Sequence, residues 1–128
     1  MSETKKASLP HVHFEGEIDL IKSMPDQETV ATVAEAMKQL GDPSRLRIFW
    51  LLCHCEECVI NIAAATGMTS PAVSHHLRLL KNSGLIVSNR KGKEMYYRTS
   101  GSPIAEKLHH TIEEVAMISC PEVNKHET

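Results

Sequence analysis

The chain has 128 residues, of which 41% are hydrophobic and 4% aromatic, a composition that suits one folded domain with a modest core. No stretch approaches the ~20 apolar residues that a membrane helix needs, and residues 1–17 lack the apolar segment of a signal peptide. We therefore expect a cytoplasmic protein without membrane contacts, and the formal net charge of −2 argues by itself against a nucleic-acid partner.

The first part of the chain is predicted to lead from an arm into three helices. Residues 1–24 form a polar arm and a short helix, and apolar residues at helical spacing predict a longer helix over 28–40. Asp42 and Pro43 then start another helix, because aspartate can cap free N–H groups and proline is tolerated at the first position. The predicted buried face of this helix consists of Leu46, Phe49, Trp50 and Cys53.

Two short helices around a glycine-containing turn come next. The first is predicted over residues 58–66, and Gly67 is placed to end it in a left-handed turn. Ser70 is predicted to cap the second helix, with Pro71 at its first position, and helical character stops near Ser83. Two short helices joined in this way are typical of a helix-turn-helix.

The second of these helices has two contrasting faces. Val73, Leu77 and Leu80 form an apolar stripe at helical spacing. The opposite face carries hydrogen-bond donors and cations, namely Ser74, His75, Arg78 and Lys81. Such a helix suits the major groove of DNA, although an ordinary amphipathic surface helix has the same pattern.

A hairpin and a last helix complete the predicted elements. Residues 85–88 and 95–99 have strand-type side chains, and the basic stretch NRKGK between them predicts a cationic turn. A solvated surface hairpin would also fit, but directly after a helix-turn-helix it is better explained as a wing along the DNA backbone. A Ser-Pro pair at 102–103 starts the last helix, which Pro121 should end near residue 120.

Positive charge is concentrated in the helix and hairpin predicted to contact DNA. Residues 70–98 contain six lysines and arginines and one glutamate, a local charge of +5. Residues 1–40 contain seven acids and four lysines, a local charge of −3. A basic segment on an otherwise acidic chain indicates a phosphate-binding face, so the distribution of charge outweighs its sum.

Together these elements predict a mainly α fold with a small β-hairpin, a winged helix-turn-helix. The domain would cover residues 25–119, between the arm and short helix (1–24) and a C-terminal tail (120–128). Apolar faces of the first and last long helices exceed what the DNA-binding core can cover. We expect a homodimer formed through the N- and C-terminal helices, although these helices could instead pack on each other. A two-fold dimer would present two reading helices to a double-stranded DNA operator.

Three runs resemble the ArsR/SmtB group of bacterial metal-sensing repressors: GDPSRLRI at 41–48, SHHLRLLKNSGLI at 74–86 and GKEMYYR at 92–98. The resemblance extends over about residues 30–115. It implies a dimeric winged helix-turn-helix that represses its own metal-handling operon and releases DNA when metal binds.

The resemblance also implies which residues contact DNA. It puts Ser70, Ser74, His75 and His76 nearest the bases, Arg78 and Lys81 on phosphates, and Arg90, Lys91 and Lys93 on the wing. His76 could instead pack against or cap a neighbouring helix. Arg45 and Arg47 could contact the DNA backbone or form surface salt bridges.

The cysteines suggest metal or thiol chemistry in a reducing compartment. The family's Cys-x-Cys site keeps its first residue here as Cys58 but has Ile60 in place of the second. Cys53 and Cys55 lie just before it, and three thiolates within six residues could hold one soft ion, such as Zn, Cd, Pb, Cu(I) or arsenite. The predicted fourth ligand is Cys120 or, by the family's arm arrangement, His11 or His13, and it could come from the same subunit or from the other one. His54 is a weaker candidate for this position. Cys53 could instead be a core residue without a role in metal binding.

A second family site, on the last helix, looks lost. The matching positions hold Gly101, Pro103, Glu114 and Met117. Nearby residues could form a shifted version of that site, namely His109, His110, Glu113 and Glu114. We favour a solvated polar face for them.

The predicted function is therefore a DNA-binding repressor that releases its operator when a thiophilic metal or metalloid ion binds a cysteine-rich site. A redox repressor with a Cys55–Cys58 disulfide and a metal-buffering protein are the alternatives. We do not expect an enzyme, because the sequence offers no nucleophile–base constellation and no phosphate-binding glycine-rich loop.

Overall fold

The computed structural model describes residues 9–121 of the chain. The chain divides into two compact units, residues 1–32 and 33–128. In chain order the helices and strands are α1 (Glu17–Lys22), α2 (Gln27–Gln39), α3 (Pro43–Leu52), β1 (Glu57–Cys58), α4 (Val59–Thr66), α5 (Ser70–Asn82), β2 (Ile86–Lys91), β3 (Glu94–Thr99) and α6 (Pro103–Ala116). None of the helices in the described part is long and apolar enough to span a membrane.

The N-terminal unit contains α1 and the first turns of α2, as the sequence predicts. Helix α1 follows Gly16, whose φ of 90° lies in the left-handed region that favours glycine, and it has no buried residue. Asp26 Oδ1 accepts a hydrogen bond of 2.8 Å from the Thr29 N–H group at the start of α2. The predicted short and long helices are both present.

The core of the second unit is built around α3. Ile48, Phe49 and Leu52 of this helix are at most 1% exposed. They pack in one cluster with residues of α4, α5, β2 and α6, including Ile62, Val73, Leu77, Leu80, Ile86 and Ala105. Our predicted buried face was fully buried at Phe49 only. Leu46 and Cys53 are half-buried at the edge of the cluster, and Trp50 is also half-buried.

Helix α5 begins as a capped helix, but the cap is not the predicted one. Thr69 is the N-cap residue, and its side chain accepts a hydrogen bond of 3.3 Å from the Ala72 N–H group. Ser70 is already the first residue of the helix, so its predicted capping role was wrong. A serine or threonine at two consecutive positions before proline leaves the choice of cap open in the sequence.

The hairpin is longer than predicted and belongs to a three-stranded sheet. Strands β2 and β3 pair from Ile86 opposite Thr99 to Lys91 opposite Glu94, which leaves a two-residue turn with Gly92 at a φ of 62°. The unpredicted strand β1 pairs with β3 on its other side, in the order β1-β3-β2. A strand of two residues is too short to produce a periodic signal.

Helix α6 ends four residues earlier than predicted. Ser102 caps its start as expected. At its end Met117 adopts a left-handed conformation with a φ of 58°, and the Ile118 N–H group donates a hydrogen bond of 3.0 Å to the Glu113 carbonyl. This is a Schellman ending, which reverses the chain but usually uses glycine. The reversal brings the chain back along α6.

Candidate DNA-binding surface and metal centre

The position of α5 is fixed by its apolar stripe. Val73, Leu77 and Leu80 are each at most 1% exposed, as predicted, and they pack into the core with α3 and α4. Gly67 ends α4 with a φ of 73°, so the turn into α5 has the left-handed residue that the sequence predicts. One side of α5 is therefore anchored, and the opposite side faces outward.

The outward side of α5 holds most of the predicted DNA-contacting residues. All but one of them are exposed, namely Ser70, Ser74, His75, Arg78 and Lys81. Arg78 Nη2 lies 2.9 Å from His75 Nδ1, so the guanidinium and the imidazole orient each other. Lys81 Nζ donates a hydrogen bond of 2.7 Å to Ser88 Oγ on β2, which ties α5 to the hairpin.

His76 differs from the other α5 residues because it turns inward. Its side chain is 15% exposed, and its Nδ1 lies 3.8 Å from Asp42 Oδ2 and 3.1 Å from Arg45 Nη1. Burial lowers the pKa of His76, which favours the neutral imidazole. This environment favours helix packing over base contact.

The two arginines of α3 are held by backbone carbonyls. Arg45 Nε donates a hydrogen bond of 2.6 Å to the Gln39 carbonyl, and Arg47 Nη1 donates one of 3.3 Å to the Thr66 carbonyl. Both side chains therefore connect helix ends within the domain.

The tip of the hairpin is cationic, as predicted. Arg90, Lys91 and Lys93 are all exposed. Lys91 forms an ion pair with Glu56 and lies 5.0 Å from the centre of the Tyr96 ring. Part of its charge is thus engaged within the protein, while the tip keeps a net positive surface.

The Cys53, Cys55 and Cys58 side chains occupy three different environments. Cys53 caps the end of α3, and burial raises the pKa of its thiol to about 12. Burial also raises the pKa of Cys55, whose thiol donates to the Leu51 carbonyl at 3.5 Å. Cys58 is buried at the N-cap position of α4, where its side chain makes no capping hydrogen bond. Among the described residues, the three thiols do not form a converging group of ligand atoms.

The N-terminal histidines lie in the other compact unit. The rings of His11 and His13 stack with centroids 6.0 Å apart. His13 Nδ1 is 3.3 Å from Glu17 Oε2, and both residues belong to the N-terminal unit. Their predicted part in a metal site stays a prediction.

A different group of side chains does converge in the second unit. His54, His109, Glu113 and Cys120 each offer one ligand atom, and these atoms all lie within 4.8 Å of one another. We call these four residues the HHEC cluster. His109 and Glu113 are 8% and 7% exposed, so the solvated polar face that we favoured for this part of α6 was wrong at these two positions.

The HHEC cluster is tightly spaced. His109 Nε2 lies 3.1 Å from His54 Nε2 and 3.1 Å from Glu113 Oε2, and His54 Nε2 lies 3.2 Å from the same oxygen. Cys120 Sγ is 3.7 Å from His109 Nε2 and donates to Glu113 Oε1 and Oε2 at 2.9 and 3.0 Å. Two imidazoles, a carboxylate and a thiol therefore face one point.

Three separate segments bring the HHEC cluster together. His54 comes two residues after α3, and His109 and Glu113 lie one turn apart on the buried face of α6. Cys120 reaches the cluster because the left-handed residue Met117 turns the chain back along α6. The remaining candidates of the predicted shifted site, His110 and Glu114, are exposed.

Hydrogen bonds fix the charge of the carboxylate in this cluster. The Cys120 thiol, and then His109 and Trp50, donate to Glu113 and lower its pKa to about 2. The same hydrogen bond to Glu113 raises the pKa of Cys120. Trp50 Nε1 lies 3.1 Å from Glu113 Oε2 and holds this oxygen from outside the cluster.

The sequence did contain a signal for this group. Ala105, His109 and Glu113 recur every four residues and are the buried positions of α6. Val115, on the apolar stripe expected from helical spacing, is 78% exposed. The shifted site considered from the sequence includes His109 and Glu113, one turn apart on the helix, but their burial depends on α3, whose Trp50 donates to Glu113.

The fold and the exposed face of α5 define a winged helix-turn-helix DNA-binding protein. Residues 42–88 match the family described as bacterial regulatory protein, arsR family. The chain is 38% identical over 87 residues to the HTH-type transcriptional regulator NmtR of Mycobacterium tuberculosis. The aligned residues make up 68% of this chain and 72% of that protein. The chain therefore belongs to the arsR family of bacterial regulatory proteins, as its resemblance predicted.

Two further relatives support the fold and the regulatory role. A cadmium resistance transcriptional regulatory protein, a CadC homolog of Staphylococcus aureus, is 38% identical over 80 residues, 62% of each chain. The homodimeric winged helix-turn-helix DNA-binding domain of a Mycobacterium bovis protein superposes with a TM-score of 0.64 at 35% identity, over 74% of this chain and 89% of that one. The predicted fold and the prediction of a DNA-binding regulator rather than an enzyme are confirmed.

Proposed function

We propose that this protein represses transcription by binding an operator through α5 and the hairpin, and that it releases the operator when a metal ion binds. The observation that carries the DNA-binding part is the exposed face of α5, with Ser74, His75 and Arg78 opposite a fully buried stripe. A helix presented in this way can enter the major groove, and the cationic tip of the hairpin can contact phosphates. A regulator of bacterial transcription acts in the cytoplasm, where the chromosome lies.

The active form is proposed to be a homodimer. Val33 and Met37 of α2 are 41% and 56% exposed, and Val115 and Ile118 at the end of α6 are 78% and 47% exposed. A second copy covering these helices would remove apolar surface from water. The homodimeric relative from Mycobacterium bovis supports the same arrangement.

Two observations support metal as the signal. The relative from Staphylococcus aureus is a cadmium resistance regulator, and the HHEC cluster offers four metal ligands beside the core of the DNA-binding unit. Burial raises the pKa of Cys55, one of the two thiols of the redox alternative, and this disfavours that alternative because the thiolate is the reactive form of cysteine. The intact DNA-binding surfaces disfavour a protein that only buffers metal.

The DNA-binding part is tested with a duplex that the purified protein selects from a random-sequence library. Arg78→Ala should raise the Kd for this duplex by about 10- to 100-fold, because it removes the proposed phosphate contact and also the group that orients His75, whose proposed base contact contributes roughly 1–3 kcal/mol. Lys107→Ala removes an exposed cation from α6 and serves as the matched control, with a Kd within about twofold of wild type. Equal binding by wild type and Arg78→Ala would contradict the proposed reading face.

The metal response is tested on the same duplex under reducing conditions. Added Zn²⁺ or Cd²⁺ should raise the Kd by about 5- to 150-fold, the usual range of coupling between two sites. A mild thiol oxidant without metal should leave the Kd unchanged. Release by the oxidant and not by either metal would favour the redox alternative instead.

A further inference from the structure

We propose that the HHEC cluster is a tetrahedral site for a divalent ion of the zinc class, built within one subunit by His54, His109, Glu113 and Cys120. This inference rests on the proposed function in one respect, since it names the ion and the site that control DNA release. It replaces the Cys53–Cys55–Cys58 grouping as the metal centre.

The spacing of the ligand atoms fits one small ion. With metal–nitrogen bonds of about 2.0–2.1 Å and a metal–sulfur bond of about 2.3 Å, a regular tetrahedron has N–N and N–O edges of about 3.3 Å and N–S edges of about 3.6 Å. The corresponding distances in the cluster are 3.1 Å between the imidazole nitrogens, 3.1 and 3.2 Å from these to Glu113 Oε2, and 3.7 Å from Cys120 Sγ to His109 Nε2. Four of the six edges are therefore nearly formed.

The remaining adjustment is small and has a clear chemical cause. The Cys120 thiol donates its proton to Glu113, and its Sγ lies 3.0 Å from Oε2, which is shorter than the ~3.5 Å edge of a metal tetrahedron. Metal binding releases this proton to solvent, and the metal–sulfur bond replaces the hydrogen bond. The sulfur then has to move by only about half an ångström.

The charge of the cluster matches a divalent cation. The carboxylate of Glu113 and the thiolate of Cys120 together carry −2, and His54 and His109 bind through neutral nitrogens. A 2+ ion makes this site neutral, which matters because the Glu113 and His109 side chains are only 9% and 10% exposed. An unbalanced charge in such surroundings is costly.

The mixture of donors selects the class of ion. Two nitrogens, one oxygen and one sulfur suit Zn²⁺ and its spectroscopic substitute Co²⁺, whereas softer ions such as Cu⁺ and arsenite favour sites richer in sulfur. Trp50 adds a further feature of a built site. Its Nε1–H group donates to Glu113 Oε2 at 3.1 Å and holds the carboxylate in place from the outer shell.

The site connects α6 to the DNA-contacting elements by a short route. His54 is followed within three residues by β1, and β1 pairs with β3 of the hairpin. Cys58 of β1 also occupies the N-cap position of α4, the first helix of the helix-turn-helix, so β1 leads directly into that helix. An ion that holds His54 against α6 therefore restrains the segment on which both the hairpin and α4 depend.

The experiment titrates the metal-free full-length protein with CoCl₂ and ZnCl₂ under reducing conditions and without DNA. We expect one ion per chain, a thiolate-to-cobalt charge-transfer band, and visible bands with the intensity of tetrahedral Co²⁺. Cys120→Ser should abolish the charge-transfer band. His109→Gln should weaken Zn²⁺ binding by at least about 10-fold, measured by competition with a chromophoric chelator.

Two further variants make the test decisive. His110→Gln changes the neighbouring exposed histidine on the same helix and should leave Zn²⁺ affinity unchanged. Cys55→Ser should keep the charge-transfer band, and loss of the band in this variant while Cys120→Ser retains it would overturn the site. Circular dichroism of each variant establishes that it is folded, and His54→Gln provides a second ligand variant should Cys120→Ser unfold.

The site and the proposed function fail in different ways. If Zn²⁺ binds at the four residues but the Kd for the selected duplex does not change, the site stands and the metal response is wrong. If Zn²⁺ releases the duplex equally from wild type, His109→Gln and Cys120→Ser, the metal response stands and this site is wrong.

Discussion

Helices α5 and α6 begin alike and use their polar residues in opposite ways. Each starts with a hydroxyl N-cap and a proline in the first turn. In α5 the fully buried residues are all apolar, and the polar side chains other than the half-buried His76 face outward. In α6 the buried face includes His109 and Glu113, which contact side chains from other segments. A polar helix face can thus serve an external partner in one helix and an internal site in another, and the amphipathic pattern alone does not distinguish them.

The largest effect is expected from the outer shell of the α6 site. Trp50→Phe keeps the aromatic bulk but removes the donor to Glu113 Oε2, so Zn²⁺ affinity should fall by about 10- to 100-fold. Competition with a chromophoric chelator measures the change, and thermal unfolding of the metal-free variant serves as the control. An unchanged Zn²⁺ affinity would mean that the indole does not position the carboxylate.

A smaller effect is expected at the start of α5. Thr69→Ala removes the side chain that accepts from the Ala72 N–H group, so the free energy of unfolding should fall by about 1 kcal/mol. Ser70→Ala is the matched variant at the next position, and it should change stability by less than ~0.5 kcal/mol. Urea denaturation measures both, and the opposite ranking would restore Ser70 as the cap.

The smallest effect is expected at the end of α6. Met117 adopts a left-handed conformation with a φ of 58°, so Met117→Gly should raise the free energy of unfolding by about 0.5–1 kcal/mol. Met117→Ala keeps the Cβ atom and should give no such gain. If glycine destabilised the protein, contacts of the Met117 side chain would outweigh the backbone strain.

The features that could be predicted from the sequence are those determined by residues close together along the chain. The apolar stripe of α5, the left-handed Gly67 and the cationic hairpin all follow from local spacing and turn chemistry, and the structure contains them. The remaining errors in these parts are one residue at the cap of α5 and a few at the strand ends. Such elements need no knowledge of what packs against them.

The candidate metal site could not be predicted in the same way, because it is assembled by tertiary packing. The two histidines whose Nε2 atoms lie 3.1 Å apart are 55 positions apart in the chain. Cys120 joins them through a chain reversal at Met117, where the absence of glycine conceals the turn. The dense spacing of Cys53, Cys55 and Cys58 was the stronger pattern in the sequence, but proximity along the chain does not make side chains point to one ion.

The pairing of β1 with β3 has a consequence for how the regulator should respond. Glu57 and Cys58 lie opposite Tyr97 and Tyr96, so the helix-turn-helix and the hairpin share a hydrogen-bonded ladder. If α5 reads bases and the hairpin contacts phosphates, as proposed, this ladder makes the two elements move together. Metal should consequently lower affinity for specific and non-specific duplexes in parallel, leaving the ratio between them nearly constant, so that the signal changes occupancy of the operator and not the choice of sequence.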